Sequence, residues 1–127
     1  MYQTGIDIIE ISRVAKSIEN PSFVEKYFHP IEIEYSSKSK KAAQHYAARF
    51  AAKEAVRKVL LSYIDDLSWK DSWIENDENG KPHLCFSEKI KEIIDIKHSS
   101  VSLSHSKDQA IAIVLMDVNS KPVTGDL

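Results

Sequence analysis

The clearest hydrophobic patterns are a short β-branched segment at residues 4–11, Thr-Gly-Ile-Asp-Ile-Ile-Glu-Ile, and a long stretch at residues 41–63 without glycine or proline. The first pattern predicts a β-strand and the second predicts one long helix. Near the C-terminus, residues 99–104 and 109–118 are predicted to form two antiparallel strands, joined by residues 105–108.

Shorter elements fill the remaining chain. Before the long helix, the sequence predicts a helix over residues 13–19 with Ser12 as its N-cap, a helix over 22–28, and a turn that is opened by Pro30 and reaches Tyr35. After the long helix it predicts strands over 71–75 and 83–86, with the Asn79-Gly80 turn between them. A further helix is expected to be capped by Ser87 and to bury Ile90, Ile93 and Ile94. These elements predict an α+β fold with helices packed on a small antiparallel β-sheet. One domain is expected over residues 1–119, followed by a frayed tail over 120–127.

Composition narrows the class of protein. The chain has 127 residues, which suits one domain, and its single cysteine, Cys85, cannot form an intramolecular disulfide. No apolar run is long enough to span a bilayer, and the N-terminus lacks the pattern of a signal peptide. We therefore expect a cytoplasmic protein with no membrane partner.

Basic side chains are concentrated in one part of a chain whose net charge is −2. Residues 38–58 hold seven lysines and arginines and one acid, Glu54. This distribution indicates either an anionic ligand or a solvated helix face. A nucleic-acid partner is not expected, because the chain is slightly acidic and lacks an array of aromatic and basic side chains for stacking bases.

Two carboxylates lie within apolar segments. Glu54 lies among alanines on the long helix, where its simplest partner is Lys58, one turn later, and Asp7 interrupts the isoleucines of the first strand. Asp7 is alternatively an acid at a strand edge or a cap for the next helix. Together the two carboxylates suit Mg²⁺, which proteins hold with one or two carboxylates and substrate phosphates. Arg49, Lys53 and Lys58 suit a phosphate ligand.

His105 lies at the mouth of the last predicted hairpin. It is either a turn histidine bonded to the backbone or a donor to phosphate. The other four histidines are scattered along the chain and are assigned no role.

Five motifs, in order along the chain, resemble the motifs of a known protein family. These motifs resemble those of holo-acyl-carrier-protein synthases, in the 4′-phosphopantetheinyl transferase superfamily. They are GIDIIEI at 5–11, FHPIEIEY at 28–35, RFAAKEAVRKVL at 49–60, NGKP at 79–82 and SLSHSKDQAIA at 102–112. The resemblance implies transfer of 4′-phosphopantetheine from coenzyme A to a serine of an apo acyl carrier protein, with release of adenosine 3′,5′-bisphosphate. It also implies a homotrimer with sites between subunits.

The resemblance also implies roles for individual residues. Asp7 and Glu54 are expected to bind Mg²⁺, and Lys58 to help hold the pyrophosphate as the third catalytic residue. The residues expected to contact other parts of coenzyme A are Arg49, Gly80, Lys81, Pro82 and His105. Arg13, with Lys16 beside it, is expected to dock the acidic carrier protein. The group that takes the serine proton stays open between a metal-bound water, Asp7 and Glu54.

One departure from the family pattern opens an alternative function. Relatives follow the FAxKEA helix with a glycine-rich stretch, whereas residues 60–69 of this chain contain no glycine and include Asp65 and Asp66. Glycines allow positive φ and close approach of the backbone to a ligand. The departure predicts a helix that runs longer and weaker coenzyme A binding. The alternative is a non-catalytic coenzyme A-binding protein of the same fold.

Overall fold

The structure, a computed structural model, describes residues 1–121. Its elements in chain order are β1 (Tyr2–Glu10), α1 (Ile11–Ser17), α2 (Pro21–Tyr27), α3 (Pro30–Ser37), α4 (Ala42–Leu60), a 3₁₀ turn (Trp69–Asp71), β2 (Ser72–Asn76), β3 (Pro82–Phe86), α5 (Glu88–Ile93), β4 (Ile94–His105) and β5 (Gln109–Ser120). The predicted α+β class is confirmed. The tail predicted over residues 120–127 begins inside β5 at Ser120, and residues 122–127 lie outside the described part.

The strands form an antiparallel three-stranded sheet in the order β1-β5-β4 and a separate two-stranded β2–β3 hairpin. Because β5 is central, alternate residues on its inner face are buried, among them Ala112 and Val114. Helix α4 packs on this inner face, and its own buried residues on that side are mostly alanines and valines. Small side chains on both elements let the helix lie close to the sheet.

Gly5 marks the closest approach between the helix and β1. A Cβ at this position would lie 2.1 Å from the carbonyl oxygen of Ala55, so only glycine fits there. Asp7, two residues further on, points to the same side of β1, and Glu54 precedes Ala55 on α4. The contact therefore fixes how close the two carboxylates lie.

Aromatic side chains join α4 to the N-terminal helical region and to the 3₁₀ turn. Phe28 is fully buried and meets the Tyr46 ring edge-on at 4.8 Å, while Phe50 stacks on Trp69 at 5.5 Å. Such pairs add about 0.5–1.5 kcal/mol each beyond their buried area.

Several predicted boundaries are wrong, for local reasons. Ser12 does not cap α1; the strand runs to Glu10, which takes the N-cap position without a side-chain hydrogen bond. The segment after Pro30 is a full helix, because His29 Nδ1 accepts from Ile31 N and the Glu32 carboxylate accepts from His29 N in a capping box. Helix α4 ends at Leu60, so it does not run longer into the glycine-free segment.

The α5 region also differs from its prediction. Ser87 caps this helix and Ile90 is fully buried, as expected. Ile93, however, is 44% exposed, and Ile94 begins β4. The helix has only six residues, so the apolar run continues as a strand.

The outer face of the three-stranded sheet carries large apolar side chains that the described residues leave open to solvent. Its exposed members are Tyr2, Ile6, Ile8, Ile113 and Leu115. Ile6 and Ile113 are directly opposite each other across the β1–β5 ladder. No helix of the described part is both long and apolar enough to cross a membrane.

Candidate active site

Asp7 and Glu54 form a pair of half-buried carboxylates between β1 and α4. The pKa of Glu54 is raised, first by burial and then by the negative charge of Asp7, while Arg57 and Lys58 oppose the shift. The close contact of Gly5 with Ala55 and the effect of Asp7 on Glu54 together place the two predicted metal ligands near each other. Two oxygen donors of this kind suit a hard divalent cation that keeps waters and substrate oxygens as its other ligands. Among residues 1–121 no group of three or more acidic, histidine or cysteine side chains could hold a metal.

Lys58 contacts Asp7 and not Glu54. Its Nζ donates to the Ile6 carbonyl oxygen at 2.7 Å and to Asp7 Oδ1 at 3.1 Å. The expectation that Lys58 and Glu54 form a simple pair along the helix is therefore wrong. Asp7 does not cap α1 either, since Glu10 holds that position. The three residues predicted to be catalytic thus lie together, with Lys58 exposed at the rim.

Arg49 forms the centre of a second group. Its side chain is 2% exposed, and its guanidinium donates to the His45 carbonyl oxygen at 3.2 Å and to Asn76 Oδ1 at 2.6 Å. Tyr35 covers it, with Cζ 4.3 Å from the ring centroid. All these partners are neutral, no carboxylate lies within ion-pair distance in the described part, and Nε has no partner there. Glu32 acts on Arg49 only from beyond ion-pair distance, and a buried charge without a direct ion-pair partner favours an anion nearby.

The cavity beside Arg49 has a volume of about 240 Å³. Three other predicted ligand contacts, Gly80, Pro82 and His105, line it with Arg49. Gly80 has a φ of 82°, which suits glycine, and its carbonyl oxygen accepts from Asn76 Nδ2 at 3.0 Å. Lys81 is exposed, does not line the cavity, and donates its backbone N–H to Asp77. The hairpin thus contributes its turn to the cavity and not its lysine.

Arg13 and Lys16 lie one turn apart on the exposed side of α1, opposite the buried Val14. Neither forms an ion pair with a described residue. The structure therefore leaves both predicted docking residues available at the surface.

Comparison with known proteins decides the family. A family model described as the 4′-phosphopantetheinyl transferase superfamily matches residues 3–114. A holo-[acyl-carrier-protein] synthase from Geobacter sp. (strain M21) is 41% identical over 123 residues, covering 92% of this chain and 98% of that protein. The chain belongs to the 4′-phosphopantetheinyl transferase superfamily.

Two solved structures from the same superfamily have the same fold. A holo-(acyl-carrier-protein) synthase from Bacillus anthracis str. Ames in complex with CoA (3′,5′-ADP) has a TM-score of 0.74 at 33% identity, covering 89% of this chain and 93% of that one. The Helicobacter pylori synthase in complex with coenzyme A has a TM-score of 0.76 at 31% identity, covering 91% of this chain and all of that one. The family predicted from the sequence motifs is therefore confirmed.

In this member of the superfamily, Lys53 is not a phosphate ligand. Its ammonium lies 2.7 Å from the Glu32 carboxylate and also donates to the carbonyl oxygens of Trp69 and Ser72. Both charged side chains are buried, so neither reaches a ligand from solvent. The expectation that Lys53 joins Arg49 and Lys58 around phosphate is wrong.

Sequence reasoning also missed residues of the Arg49 cavity. The chief ones are Tyr35, Gln44, His45 and Asn76. His45 and Gln44 precede Arg49 by four and five residues, so helical spacing was a signal that could have placed them beside it. Tyr35 and Asn76 come from distant elements, and no local pattern places them there.

Proposed function

We propose that this chain transfers the 4′-phosphopantetheine group of coenzyme A to a serine of an apo acyl carrier protein and releases adenosine 3′,5′-bisphosphate. The observation that carries the proposal is that one chain has both a carboxylate pair and a cavity around a buried arginine without a direct ion-pair partner. The first suits a cation and the second suits the phosphates that such a cation would help to neutralise. Membership of the superfamily and the activity named for its relatives support the same reaction.

We propose Mg²⁺ as the cation, with Asp7 and Glu54 as its protein ligands. When bound, Mg²⁺ would supply charge neutralisation of the pyrophosphate and of the leaving group. Lys58 donates to Asp7 in the described structure, and its exposed ammonium would turn toward the pyrophosphate as a second positive charge. Arg49 would hold another phosphate of coenzyme A, in a cavity whose neutral hydrogen-bond partners leave its charge available.

We further propose a homotrimer whose sites lie between subunits. Glu54 and Lys58 follow Arg49 by five and nine residues on α4, which places them about 140° and about 180° around the helix from it. One copy therefore presents its carboxylates and its arginine cavity on opposite sides of α4. A second copy packed on the apolar outer face of the sheet would supply the missing half of each site.

The test is a transfer assay with the intact chain. The protein is mixed with coenzyme A, Mg²⁺ and an apo carrier protein, and the carrier is weighed by mass spectrometry. We expect a mass increase of one phosphopantetheine group, which chelation of Mg²⁺ prevents. Binding of coenzyme A with no mass increase would favour the non-catalytic binding protein that the glycine-free segment suggests. A cytoplasmic location stays a prediction.

A further inference from the structure

His45 lies on α4 one turn before Arg49 and lines the same cavity. Its carbonyl oxygen accepts from Arg49 Nη1, and its ring meets the Tyr35 ring edge-on at 5.4 Å. The backbone of His45 therefore helps to hold Arg49, and its imidazole packs against Tyr35, another residue that lines the cavity.

The hydrogen bonds around the cavity separate His45 from His105. Nε2 of His105 lies 2.8 Å from Gln44 Nε2, and its Nδ1 lies 3.3 Å from the Ser106 carbonyl oxygen. Both ring nitrogens of His105 are therefore engaged, one by a side-chain amide and the other by a backbone carbonyl. Neither ring nitrogen of His45 hydrogen-bonds to another residue between 1 and 121. His45 is therefore the histidine of this cavity whose ring nitrogens have no hydrogen-bond partner among the described residues.

The charges that face His45 are all positive or neutral. Burial lowers its pKa first, and Arg49, His105 and Lys41 lower it further. Tyr35 faces it from α3, and the hairpin contributes Asn76, Gly80 and Pro82, none of which carries a charge. No residue lining the cavity is acidic. These surroundings favour the neutral form of His45.

We propose that His45 is a binding residue of this cavity and takes up a proton from solvent when a phosphate group enters. A phosphate monoester brings a charge of about −1.5 to −2 at neutral pH, which reverses the local potential that keeps the imidazole neutral. The imidazolium then donates to the phosphate and adds a positive charge beside Arg49. This inference rests on the proposed function, because it assumes that the cavity holds a phosphate of coenzyme A or of its product.

The test measures binding of adenosine 3′,5′-bisphosphate by isothermal titration calorimetry at about pH 6.5 and about pH 8. Runs in two buffers with different ionisation enthalpies give the number of protons taken up. We expect the parent to bind several-fold more tightly at the lower pH, with uptake of up to about one proton. His45→Gln should lose most of the uptake and of the tightening. His98→Gln, which alters an exposed histidine away from the cavity, should behave as the parent.

A second measurement keeps the inference testable if His45→Gln folds poorly. The ring protons of His45 are followed by NMR in the parent as pH is varied, with and without the bisphosphate. Ligand should raise the apparent pKa of His45, and an unchanged pKa would contradict the inference. Titration of the phosphate itself is common to parent and variants, so it cancels in their difference.

The outcomes separate this inference from the proposed function. Binding with the same proton uptake in the parent and in His45→Gln would overturn the role of His45 and leave the transferase function standing. A parent that binds no bisphosphate at either pH would overturn both.

Discussion

The ammonium of Lys53 lies 2.7 Å from the carboxylate of Glu32, and the two side chains are 2% and 0% exposed. Glu32 also accepts from the backbone N–H groups of His29 and Ile74, so one carboxylate joins α3, α4 and β2. Asn76, which contacts Arg49, lies two residues beyond Ile74 on the same strand. The ion pair therefore holds in place the elements that form the arginine cavity.

Lys53→Met should destabilise the fold by about 3–5 kcal/mol, because it leaves the buried Glu32 charge without its counter-ion. The measurement is the midpoint of urea unfolding at a fixed protein concentration. Lys38→Met is the matched control, since Lys38 pairs with Glu34 where both side chains are 71% exposed. That change should cost less than about 0.5 kcal/mol. Equal midpoints for the two variants would show that the buried pair is not needed.

Glu54→Gln should abolish most transfer, by at least about a hundred-fold, since it removes one of two expected ligands of the ion that neutralises phosphate charge. It should also raise the melting temperature when Mg²⁺ is chelated. The pKa of Glu54 is raised in the folded state by burial and then by Asp7. A carboxyl with a raised folded pKa weakens the fold as pH rises above its unfolded pKa of about 4.3.

The gain in stability caused by Glu54→Gln should change with pH in one direction only. The stability gained by Glu54→Gln should be absent well below about pH 4.3, grow as pH rises, and become constant above the raised folded pKa. Glu92→Gln on the exposed side of α5 is the control and should show neither effect. Near-normal transfer by Glu54→Gln at saturating Mg²⁺ would rule out the proposed metal site.

Arg13→Glu should raise the KM for an acidic carrier protein by about ten-fold and change the KM for coenzyme A little. Arg13 is exposed on α1 and has no acidic partner among the described residues, so its charge is available to a partner. Added salt should narrow the difference from the parent as it screens the attraction. Lys26→Glu on α2 is a control of the same charge change. An equal rise in both KM values would contradict docking at Arg13.

Ile113→Lys should convert a trimer into monomers and reduce transfer with it. Ile113 is 45% exposed at the centre of the apolar outer sheet face, where a buried lysine would lack a counter-ion. Ile93→Lys makes the same change at a side chain that is 44% exposed on α5 and should leave assembly unchanged. Light scattering at micromolar concentration measures both. A parent that is a stable monomer would contradict sites shared between subunits.

The glycine-free segment after α4 can be tested by a substitution that leaves its buried residue in place. Ile64 is 5% exposed in the core, so replacing it with glycine would cost about 2–5 kcal/mol by loss of packing. Ser62→Gly combined with Tyr63→Thr keeps Ile64 and removes the hydrogen bond between Tyr63 and Gln3. We expect a lower KM for coenzyme A. An unchanged or higher KM with the fold intact would show that missing glycines do not limit binding.

The sequence predicted the carboxylate pair but could not show why its members meet. Asp7 and Glu54 are 47 positions apart, and their approach depends on Gly5 having no side chain against Ala55. The sequence did not show that Lys53 is buried, because a lysine on a helix can face either the core or the solvent. Its partner Glu32 becomes visible only when α3 and α4 pack together. Helix α3 itself was predicted as a turn, since its cap is a histidine and not one of the usual short polar residues.

Because Arg49 and Glu54 lie on different sides of α4, each copy of this helix would take part in two reaction centres of a trimer. In genetic terms, a subunit whose carboxylate pair is lost by mutation would still contribute its intact arginine cavity to a site that it shares with an unmutated subunit. Two alleles damaged on opposite sides would then restore each other within mixed trimers, whereas two alleles damaged on the same side would not. The division of one helix between two centres would make many inactivating mutations recessive and some of them mutually complementing.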